Sequence, residues 1–542
     1  MNFAPSLDKR GSTRLTGAVY TPGKVAAALI GFIAKDLPAR RLRILEPSVG
    51  DGAFLSQLAL LLPDHDHVAV DIDEAVVELL REKAALWPPS TTLHARDFIQ
   101  FGCERIETGV ERFDLIIGNP PFIRKHNFLD SFKAALVRLS IATDYPLANL
   151  KNSWAAFVVA SERLVSDDGI VAFVLPYEFM TVSYGQALFG QMRQLFPRID
   201  LFVSDEKAFP EIEQDAVLFV GTKAPRADQG VFIQRVRNMS DLAGAVEHPL
   251  VFTQDSALAL DLNAYLLEPR IMPLLRNLQS KVTKFSDLAT SAPGVVTAAN
   301  DFFILTDAKV ESHRLERHVL PILKKGSLIG RSPVFSPDDF LAMSKREPCR
   351  LLHIKGDIEA LDEPLHAYLA QGLRDALHLR YKCRNRKNWY EVRLVERAPG
   401  FFFKRSHGYP RLCINAANVY ITDTAYGIRP GPGYTIRGIC FSFYNSLTMF
   451  FAETNGRFYG GGVLELAPSE LRELPIPYHE PTDSEFAEFL EVHQTAAGNP
   501  LPILDFGDRW LAKHPMVSKR HLKDIRAAWV AVRAHRLRHS SR

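Results

Sequence analysis

The tetrapeptide Asn119, Pro120, Pro121 and Phe122 stands directly after the apolar run FDLII and carries two oxygen acceptors beside an aromatic ring. An aromatic amine is a poor nucleophile because its lone pair is delocalised into the ring. The Asn119 side-chain oxygen and the Pro120 carbonyl could each accept one amine hydrogen, which would draw the nitrogen toward tetrahedral geometry without a strong general base. Successive prolines stiffen such a loop, and Phe122 could stack on the aromatic ring that carries the amine. A proline-stiffened turn with a core phenylalanine is the plain structural alternative.

A glycine turn precedes this tetrapeptide in the chain. The stretch LRILEPSVGDGAFLSQLALLL passes from strand to turn to helix, and Gly50 and Gly52 allow its backbone to turn tightly and approach a ligand. About twenty residues later the run HVAV ends at Asp71, where a carboxylate can accept hydrogen bonds from both ribose hydroxyls of a nucleoside. Asp73 competes for this role, but the first acidic residue after the strand is the better candidate. The pattern therefore predicts a nucleoside site.

A third carboxylate, Asp97 in LHARDFIQF, follows the next apolar run, where it could accept a hydrogen bond from an adenine amino group. A helix cap or a surface aspartate is the alternative for this residue.

Short apolar runs alternate with helical segments from about residue 40 to residue 220. The strand candidates are LRIL, HVAV, TTLHA, FDLII, GIVAFVL and AVLFV. This alternation is typical of a parallel sheet covered by helices, in which ligands bind at the carboxyl ends of the strands. The chain is also too long for one hydrophobic core, so two or three domains are expected from its 542 residues.

These motifs and their order resemble the gamma-class, TaqI-like DNA amino-methyltransferases of restriction-modification systems. GAVYTPGKVAAALI resembles the family's leading motif over the methionine end of the cofactor, and ILEPSVGDGAF resembles its glycine-turn motif, with Glu46 in the carboxylate position. KAFPEIEQDAVLFV carries Phe209 and Pro210 where the family places an aromatic residue against an extruded adenine. Asp71 departs from the glutamate that relatives often have, which shortens the reach but keeps the carboxylate.

The resemblance implies S-adenosylmethionine as cofactor and the N6 amino group of adenine, in a short duplex DNA sequence, as the methyl acceptor after base flipping. It assigns catalysis to Asn119, Pro120 and Phe122, and base contact to Pro121, Phe122 and Phe209. The implied cofactor-binding residues are Tyr20, Thr21, Glu46, Ser48, Gly50, Gly52, Asp71, Asp97, Phe98 and Asn119. The alternatives are an N4-cytosine DNA methyltransferase, an RNA or protein amide methyltransferase, and a non-catalytic DNA-binding specificity subunit.

Charge separates the two halves of the chain. Residues 1–250 hold 26 Lys and Arg against 31 Asp and Glu, a net of −5, whereas residues 251–542 hold 39 against 31, a net of +8. A basic second half favours duplex DNA as a partner held mainly there. Its segment RYKCRNRKNWYEV mixes cations with aromatics, and we predict DNA contact by Arg384, Arg386, Lys387 and Trp389. An ordinary solvated basic loop beside a core tryptophan is the alternative.

The expected fold is α/β: a Rossmann-like S-adenosylmethionine-dependent methyltransferase domain (1–222), a connecting segment (223–280) and a mixed α+β target-recognition domain (281–542) with a basic C-terminal helix. That helix places Leu522, Ile525, Trp529 and Val532 on one stripe that should dock on the protein. We find no convincing nuclease signature, so the partners expected are duplex DNA and a separate cognate restriction endonuclease. No metal site, membrane segment or signal peptide is predicted, and the five scattered cysteines are expected to be reduced and mostly buried in a cytoplasmic protein.

Overall fold

The computed structural model divides the chain into two units, each described here by itself. It describes residues 20–110, 112–147, 150–181, 183–207, 209, 215–250, 266–267, 271–515 and 517–538. The first unit contains the described residues up to Leu266 together with 457–462 and 534–538, and the second contains those from Leu267 to Gly456 and from Val463 to Arg533. The segment 223–280, predicted as a connection, is therefore shared between the two units, and the end of the C-terminal helix belongs to the first.

A nine-stranded sheet forms the centre of the first unit, and all six apolar runs predicted as strands lie in it. Its order is β3-β2-β1-β4-β5-β7-β6-β8-β9. The strands are β1 (Arg43–Glu46), β2 (Asp66–Asp71), β3 (Thr91–Ala95), β4 (Phe113–Gly118), β5 (Val165–Pro176), β6 (Arg198–Ser204), β7 (Ala216–Thr222), β8 (Gly230–Val236) and β9 (Val246–Leu250).

The sheet is mixed rather than wholly parallel, which corrects the expectation from the sequence. Strands β1 to β5 pair in parallel, but β7 pairs antiparallel with both β5 and β6. The connection from Ser204 to Ala216 is shorter than the crossover that parallel neighbours usually require, so β6 and β7 pair as antiparallel neighbours.

Helices cover both faces of this sheet because its central strands alternate between two apolar layers. Along β4, Ile116 packs in one buried cluster with Phe98 and Trp154, while Leu115 and Ile117 pack in the other. The helices are α1 (Gly23–Ile33), α2 (Ala53–Leu61), α3 (Glu74–Glu82), α4 (Phe98–Thr108), α5 (Asp130–Thr143), α6 (Trp154–Leu164), α7 (Glu178–Thr181) and α8 (Ser183–Leu195). The predicted α/β architecture is confirmed.

Two smaller sheets organise the second unit. The short strand β20 (Arg457–Tyr459) belongs to the first unit. One sheet has the order β10-β19-β15-β17-β13 and the other β11-β14-β12-β18, while β16 pairs with β21. The strands are β10 (Ala289–Pro293), β11 (Ile304–Leu305), β12 (Val319–Leu323), β13 (Val334–Phe335), β14 (Arg350–Leu352), β15 (Gly400–Phe403), β16 (Arg405–Ser406), β17 (Leu412–Asn415), β18 (Tyr420–Ile421), β19 (Ala425–Pro430) and β21 (Val463–Glu465).

The remaining helices range from four residues to the 19 residues of the C-terminal helix. They are α9 (Ile271–Lys281), α10 (Phe285–Leu288), α11 (Asn300–Phe303), α12 (Asp307–Ser312), α13 (Pro337–Ser344), α14 (Glu363–Arg374), α15 (Tyr381–Arg384), α16 (Ile436–Phe443), α17 (Ser446–Asn455), α18 (Pro468–Arg472), α19 (Asp483–Thr495), α20 (Pro500–Leu511) and α21 (Lys519–Leu537). In α21, Ile525, Trp529 and Val532 are fully buried and Leu522 is partly buried, so the predicted docking stripe is confirmed.

All five cysteines are buried. Within the described ranges, no helix is both long enough and apolar enough to cross a bilayer.

Candidate active site

The glycine turn between β1 and α2 adopts the backbone that its glycines were predicted to provide. Gly50 (φ 51°) and Gly52 (φ 81°) both lie in the left-handed region, and Gly52 is the residue from which α2 begins. A Cβ on Gly52 would come within 3.1 Å of Leu80 Cδ2. The turn therefore needs glycine for both backbone angle and space, and it lies at the carboxyl ends of β1 and β2.

Asp71 and Asp73 have different tasks in the structure. Asp71 accepts backbone hydrogen bonds from Gly50 (2.9 Å) and Asp73 (3.0 Å), which hold its carboxylate against the glycine turn. The Asp73 carboxylate accepts from Ala75 N (3.0 Å) and caps α3. Because Asp73 is committed to a helix cap, this geometry favours Asp71 as the ribose-binding carboxylate.

Glu46 is a buried carboxyl group at the end of β1, with only 2% of its surface exposed. Burial raises its pKa well above the ordinary value, and the neighbouring carboxylates of Asp51 and Asp71 raise it further. Its Oε2 atom has no hydrogen-bond partner among the described residues. An orphaned acceptor inside a cluster of three carboxyl groups fits a ligand that brings a positive charge and N–H donors.

Asp97 and Phe98 at the start of α4 are less directly placed. The Asp97 side chain accepts a hydrogen bond from Gln100 N (2.9 Å), so this residue caps α4, in agreement with the helix-cap interpretation of the sequence. The Phe98 ring is buried in the core and stacks on Phe157 with ring centroids 5.0 Å apart. The Phe98 side chain therefore serves packing, and only its backbone amide, at the open end of the helix, suits a ligand contact.

Asn119 follows β4, and hydrogen bonds hold both its side-chain amide nitrogen and its backbone carbonyl. Its Nδ2 donates to the Thr21 hydroxyl (3.1 Å), and its backbone carbonyl accepts from the Ser48 hydroxyl (2.9 Å). Thr21 is buried. Because Nδ2 is bonded to Thr21, the opposite side-chain atom Oδ1 is directed away from Thr21. The predicted leading motif, glycine turn and tetrapeptide thus meet at one residue.

Tyr20 lies over the glycine turn. Its ring would be 3.8 Å from a Cβ built on Gly50, and the side chain is half exposed. Burial raises its pKa, and the negative charges of Asp51, Asp71 and Asp73 raise it further. Tyr20 is therefore close to the same carboxylates as Glu46.

The loop after Asn119 is fixed by a residue that the sequence reading missed. Ser153, 1% exposed, donates through its hydroxyl to Pro121 O and accepts at the same oxygen from Ile123 N (2.9 Å). Its backbone N donates to Ile123 O (2.9 Å). Phe122 is partly buried and packs against the core. A serine immediately before the apolar helix WAAFVVA was the available signal, although it resembles an ordinary helix cap.

Phe209 is not on an accessible wall. Its ring is 4% exposed and lies in the apolar cluster that contains Phe202 and Leu218. This corrects the expectation of a ring presented to a ligand, because the ring already has apolar neighbours in the core. Pro210 lies outside the described residues.

The predicted DNA-contact cluster of the second unit divides into partly buried and exposed members. Arg386 donates to the backbone carbonyls of Val296 (3.1 Å), Thr297 (2.8 Å) and Trp389 (3.2 Å), and burial lowers its pKa. Trp389 packs on the apolar cluster of the same unit. These contacts favour a structural role for Arg386 and Trp389, since their side chains are used within the unit.

Arg384 and Lys387 remain exposed. The Arg384 guanidinium lies 5.4 Å from the centre of the Tyr381 ring, which is itself 71% exposed, and Lys387 pairs loosely with Asp357 (3.3 Å). These side chains are available to an external partner.

Two protein-family models match the chain. Residues 65–198 match the model of the Eco57I restriction-modification methylase, and residues 261–509 match that of the C-terminal domain of type II methyltransferase M.Eco57I. The first match includes β2 to β5 and the tetrapeptide, and the second lies mainly in the second unit.

Characterised relatives are similar along most of the chain. Type II methyltransferase M.XamI of Xanthomonas campestris pv. amaranthicola is 23% identical over 474 residues, which cover 85% of this chain and 85% of the relative. M.AccI of Acinetobacter calcoaceticus is 20% identical over 468 residues, or 84% of each chain. The solved DrdV–DNA complex aligns with a TM-score of 0.52 and 13% identity, covering 90% of this chain and 58% of that one, which indicates a shared fold.

Proposed function

We propose that this chain is a restriction-modification DNA methyltransferase that methylates the N6 amino group of adenine in a short duplex sequence. Its matches to the two Eco57I methyltransferase models and its similarity to M.XamI and M.AccI support this proposal. The observation that carries the inference is the fixed position of Asn119 beside the carboxylate cluster. Asn119 is tied to Thr21 and Ser48 at the carboxyl edge of the sheet, next to the turn held by Asp71.

S-adenosylmethionine, the cofactor of this family, supplies a methyl group on a positively charged sulfur. The residues at the turn fit it. Asp71 would accept from the ribose hydroxyls, and Glu46 would accept from the ammonium group through the oxygen that has no protein partner. The three carboxyl groups of Glu46, Asp51 and Asp71 repel one another, so binding a cation relieves this repulsion.

Asn119 and Pro120 would then activate the target amine. The Asn119 Oδ1 atom and the Pro120 carbonyl would each accept a hydrogen bond from one N–H of the amine, which localises the nitrogen lone pair and directs it at the methyl group. As the N–C bond forms, the S–C bond would break to leave a neutral thioether, and the methylated nitrogen would lose one proton to water. The Thr21 hydroxyl sets the orientation of the Asn119 amide in advance. Because these acceptors are already fixed, little reorganisation is required when the base arrives.

The target adenine must leave the duplex to reach this edge of the sheet. Phe122, partly buried beside Asn119, is the ring best placed to stack on the extruded base. Phe209 is enclosed in the core and would have to leave its apolar neighbours to do the same.

We propose that the second unit recognises the DNA sequence, because most of the basic half of the chain, residues 251–542, lies in it. Arg384 and Lys387 are the exposed members of the predicted cluster and suit phosphate contact. A separate cognate endonuclease would cleave the same sequence when it is unmethylated.

The product nucleoside tests the proposed base. Purified protein is incubated with duplex DNA and labelled cofactor, and the DNA is digested and separated by mass spectrometry. N6-methyladenine is expected. N4-methylcytosine would reassign the target to the second candidate, which shares the same amine chemistry, and label found only in RNA or protein would remove DNA as the substrate.

A further inference from the structure

We propose that Ser153 is a positioning residue for methyl transfer, which sets the direction of the loop carrying Asn119 and Phe122. The inference rests on the proposed catalytic role of this loop. Ser153 has no assigned function and lies 32 residues after Pro121, outside the tetrapeptide.

The hydroxyl of Ser153 is used in an unusual way for its position. Ser153 immediately precedes α6, where a serine normally accepts a hydrogen bond from one of the first helical amides. Here the side chain makes no such cap. It accepts instead from Ile123 N (2.9 Å) and donates to Pro121 O, so one buried oxygen joins both sides of Phe122.

Backbone contacts extend this attachment on both sides. Ser153 N donates to Ile123 O (2.9 Å), Lys125 N donates to Lys151 O (2.8 Å), and Arg124 pairs with Asn152 in an antiparallel bridge. The backbone contacts fix the loop beyond Ile123. Among the contacts described for these two segments, the hydroxyl is the one that reaches back to Pro121, whose peptide bond with Pro120 includes the carbonyl proposed to hold the amine.

Removing the hydroxyl should therefore release the Pro121 end of the loop while leaving its far end attached. The Pro120 carbonyl would lose its fixed direction, and a displacement of about 1 Å at reacting groups can lower a rate by up to about 100-fold. Glu46 and Asp71, which are proposed to bind the cofactor, have no contact with Ser153 in the described structure. The affinity of the Ser153→Ala protein for S-adenosylmethionine should therefore not change.

Ser153→Ala and Ser161→Ala form a matched pair. Ser161 lies on the same helix, is fully buried, and its hydroxyl has no hydrogen-bond partner among the described residues. Ser153→Ala loses one buried oxygen just before α6 and Ser161→Ala loses one within it, but only the first loses contact with the loop. Ser153→Thr, which keeps the hydroxyl, is the rescue variant.

The measurements are kcat and KM for methyl transfer, the Kd for the cofactor by calorimetry, and the Tm. We expect kcat of Ser153→Ala to fall at least tenfold with cofactor Kd unchanged, while Ser161→Ala keeps kcat and Ser153→Thr recovers most of it. Equal kcat in the two alanine variants, or a loss of Tm alone, would overturn the positioning role. If Ser153→Ala does not fold, Ser153→Cys, which keeps the shape but weakens the hydrogen bonds, provides the same comparison.

The Asn119→Ala variant distinguishes a failure of the positioning role of Ser153 from a failure of the proposed function. An inactive Asn119→Ala together with a normal Ser153→Ala would contradict only the positioning role. An active Asn119→Ala would contradict the proposed function itself.

A second inference rests on a different observation, a cavity in the second unit. It has a volume of about 170 Å³ and is lined by Gly294, Arg397, Tyr420, Gly427 and Arg429, among others. The Arg397 guanidinium lies 4.6 Å from the centre of the Tyr420 ring. Its buried Nε atom has no hydrogen-bond partner in the part of the chain that the structure describes.

We infer that Arg397 binds a phosphate group of the bound DNA. Contact with the Tyr420 ring limits the freedom of the guanidinium, and a guanidinium can pair two N–H groups with one phosphate. Arg429 and Glu396 line the same cavity and pair with each other (2.8 Å), and Arg429 also donates to the Arg397 backbone carbonyl (2.9 Å). Two arginines against one glutamate leave the cavity with a net positive charge. A positively charged cavity with a buried Nε donor that has no partner among the described residues fits the charge of DNA, the substrate of the proposed function, whichever base is methylated.

Salt-dependent DNA binding tests this assignment. Arg397→Ala should make the negative slope of log K against log salt shallower by about 0.9, the value for one phosphate contact. Arg397→Lys should keep most of the slope. Arg346→Ala, which removes an exposed arginine of the same unit outside the cavity, is the control for lost charge. A slope for Arg397→Ala equal to that of the control would overturn the contact.

Two further results would also contradict a DNA phosphate at Arg397. An unchanged slope with poorer discrimination between cognate and altered duplexes would indicate a base contact instead. Saturable binding of inorganic phosphate that depends on Arg397, without any change in DNA binding, would indicate a site for a free anion.

Discussion

Asn119 Nδ2 donates to the hydroxyl of Thr21, a residue 98 positions earlier in the chain, at 3.1 Å. This hydrogen bond joins the leading motif to the tetrapeptide that we propose to be catalytic, and it decides which end of the Asn119 amide faces away from Thr21. We therefore expect Thr21 to help orient the target amine, in addition to the cofactor contact that the sequence predicts.

Thr21→Val keeps the shape of the side chain and removes the acceptor for Asn119. The lost hydrogen bond no longer orients the Asn119 amide, and the free energy of about one hydrogen bond corresponds to roughly a tenfold lower kcat. Thr21→Ser, which keeps the hydroxyl, should retain most of the rate. Steady-state methyl transfer checks both variants, and an unchanged kcat in Thr21→Val would show that Asn119 is oriented by other contacts.

Asp71 and Asp73 should respond differently to alanine substitution. Asp71→Ala should weaken S-adenosylmethionine binding by roughly tenfold or more, because it loses hydrogen bonds to a charged acceptor. Asp73→Ala should lower the free energy of unfolding by about 1 kcal/mol through loss of the α3 cap. Calorimetry and thermal unfolding measure the two effects. A larger affinity loss in Asp73→Ala would exchange the assignments.

Glu46 should couple cofactor binding to pH. Its pKa is raised in the free protein, so the protonated form stabilises the fold at low pH and this contribution is lost as pH rises through the raised pKa. The cofactor's ammonium favours the ionised carboxylate and lowers that pKa. Binding should therefore release a proton in the pH range between the bound and free values, and affinity should fall as pH falls through that range.

Calorimetry in buffers of different ionisation enthalpy measures this proton release. Glu46→Gln cannot ionise, so it should show no such release from this site and a flatter dependence of affinity on pH. It should also lose the part of the apo protein's pH-dependent stability that comes from Glu46. Equal proton release by Glu46→Gln and the unaltered protein would exclude Glu46 as the linked group.

Arg386 and Arg384 should separate folding from DNA contact. Arg386→Ala should lower the free energy of unfolding by about 1–3 kcal/mol, because three backbone carbonyls lose a charged donor. Arg384→Ala with Lys387→Ala should leave stability nearly unchanged and flatten the salt dependence of DNA binding, by about one unit for each lost phosphate contact. Wild-type binding by the double variant would remove these cations from the interface.

Phe122 and Phe209 should also differ. With 2-aminopurine at the target position, Phe122→Ala should reduce both the fluorescence rise on binding and the methylation rate. Phe209→Leu should mainly lower stability, because its ring lies in the core. A fluorescence loss confined to Phe209→Leu would return the stacking role to that residue.

The glycine turn, the first strands and the docked stripe of α21 could be predicted because each depends on local pattern. Alternation of apolar runs, glycine at left-handed positions and helical spacing are all visible within about twenty residues. Strand β6 was missed for a local reason as well. It carries a buried ion pair between Arg198 and Asp200 (2.6 Å), which makes its sequence look less apolar than its environment.

The errors concern side chains whose burial depends on distant segments. Arg386 reads as a DNA contact until its acceptors Val296 and Thr297, about ninety residues earlier, are known. Phe209 reads as a stacking ring until the core around it is known. Ser153 could not be assigned from sequence because its partners, Pro121 and Ile123, come from another part of the chain.

The site and strand of methylation in cellular DNA test the central claim most directly. DNA from cells that express the protein, and from cells that express Asn119→Ala at the same level, is sequenced by a method that distinguishes modified adenine from modified cytosine. The account predicts one short sequence with N6-methyladenine in the first sample and none in the second. Modified cytosine, or the same modified adenine in both samples, would contradict it.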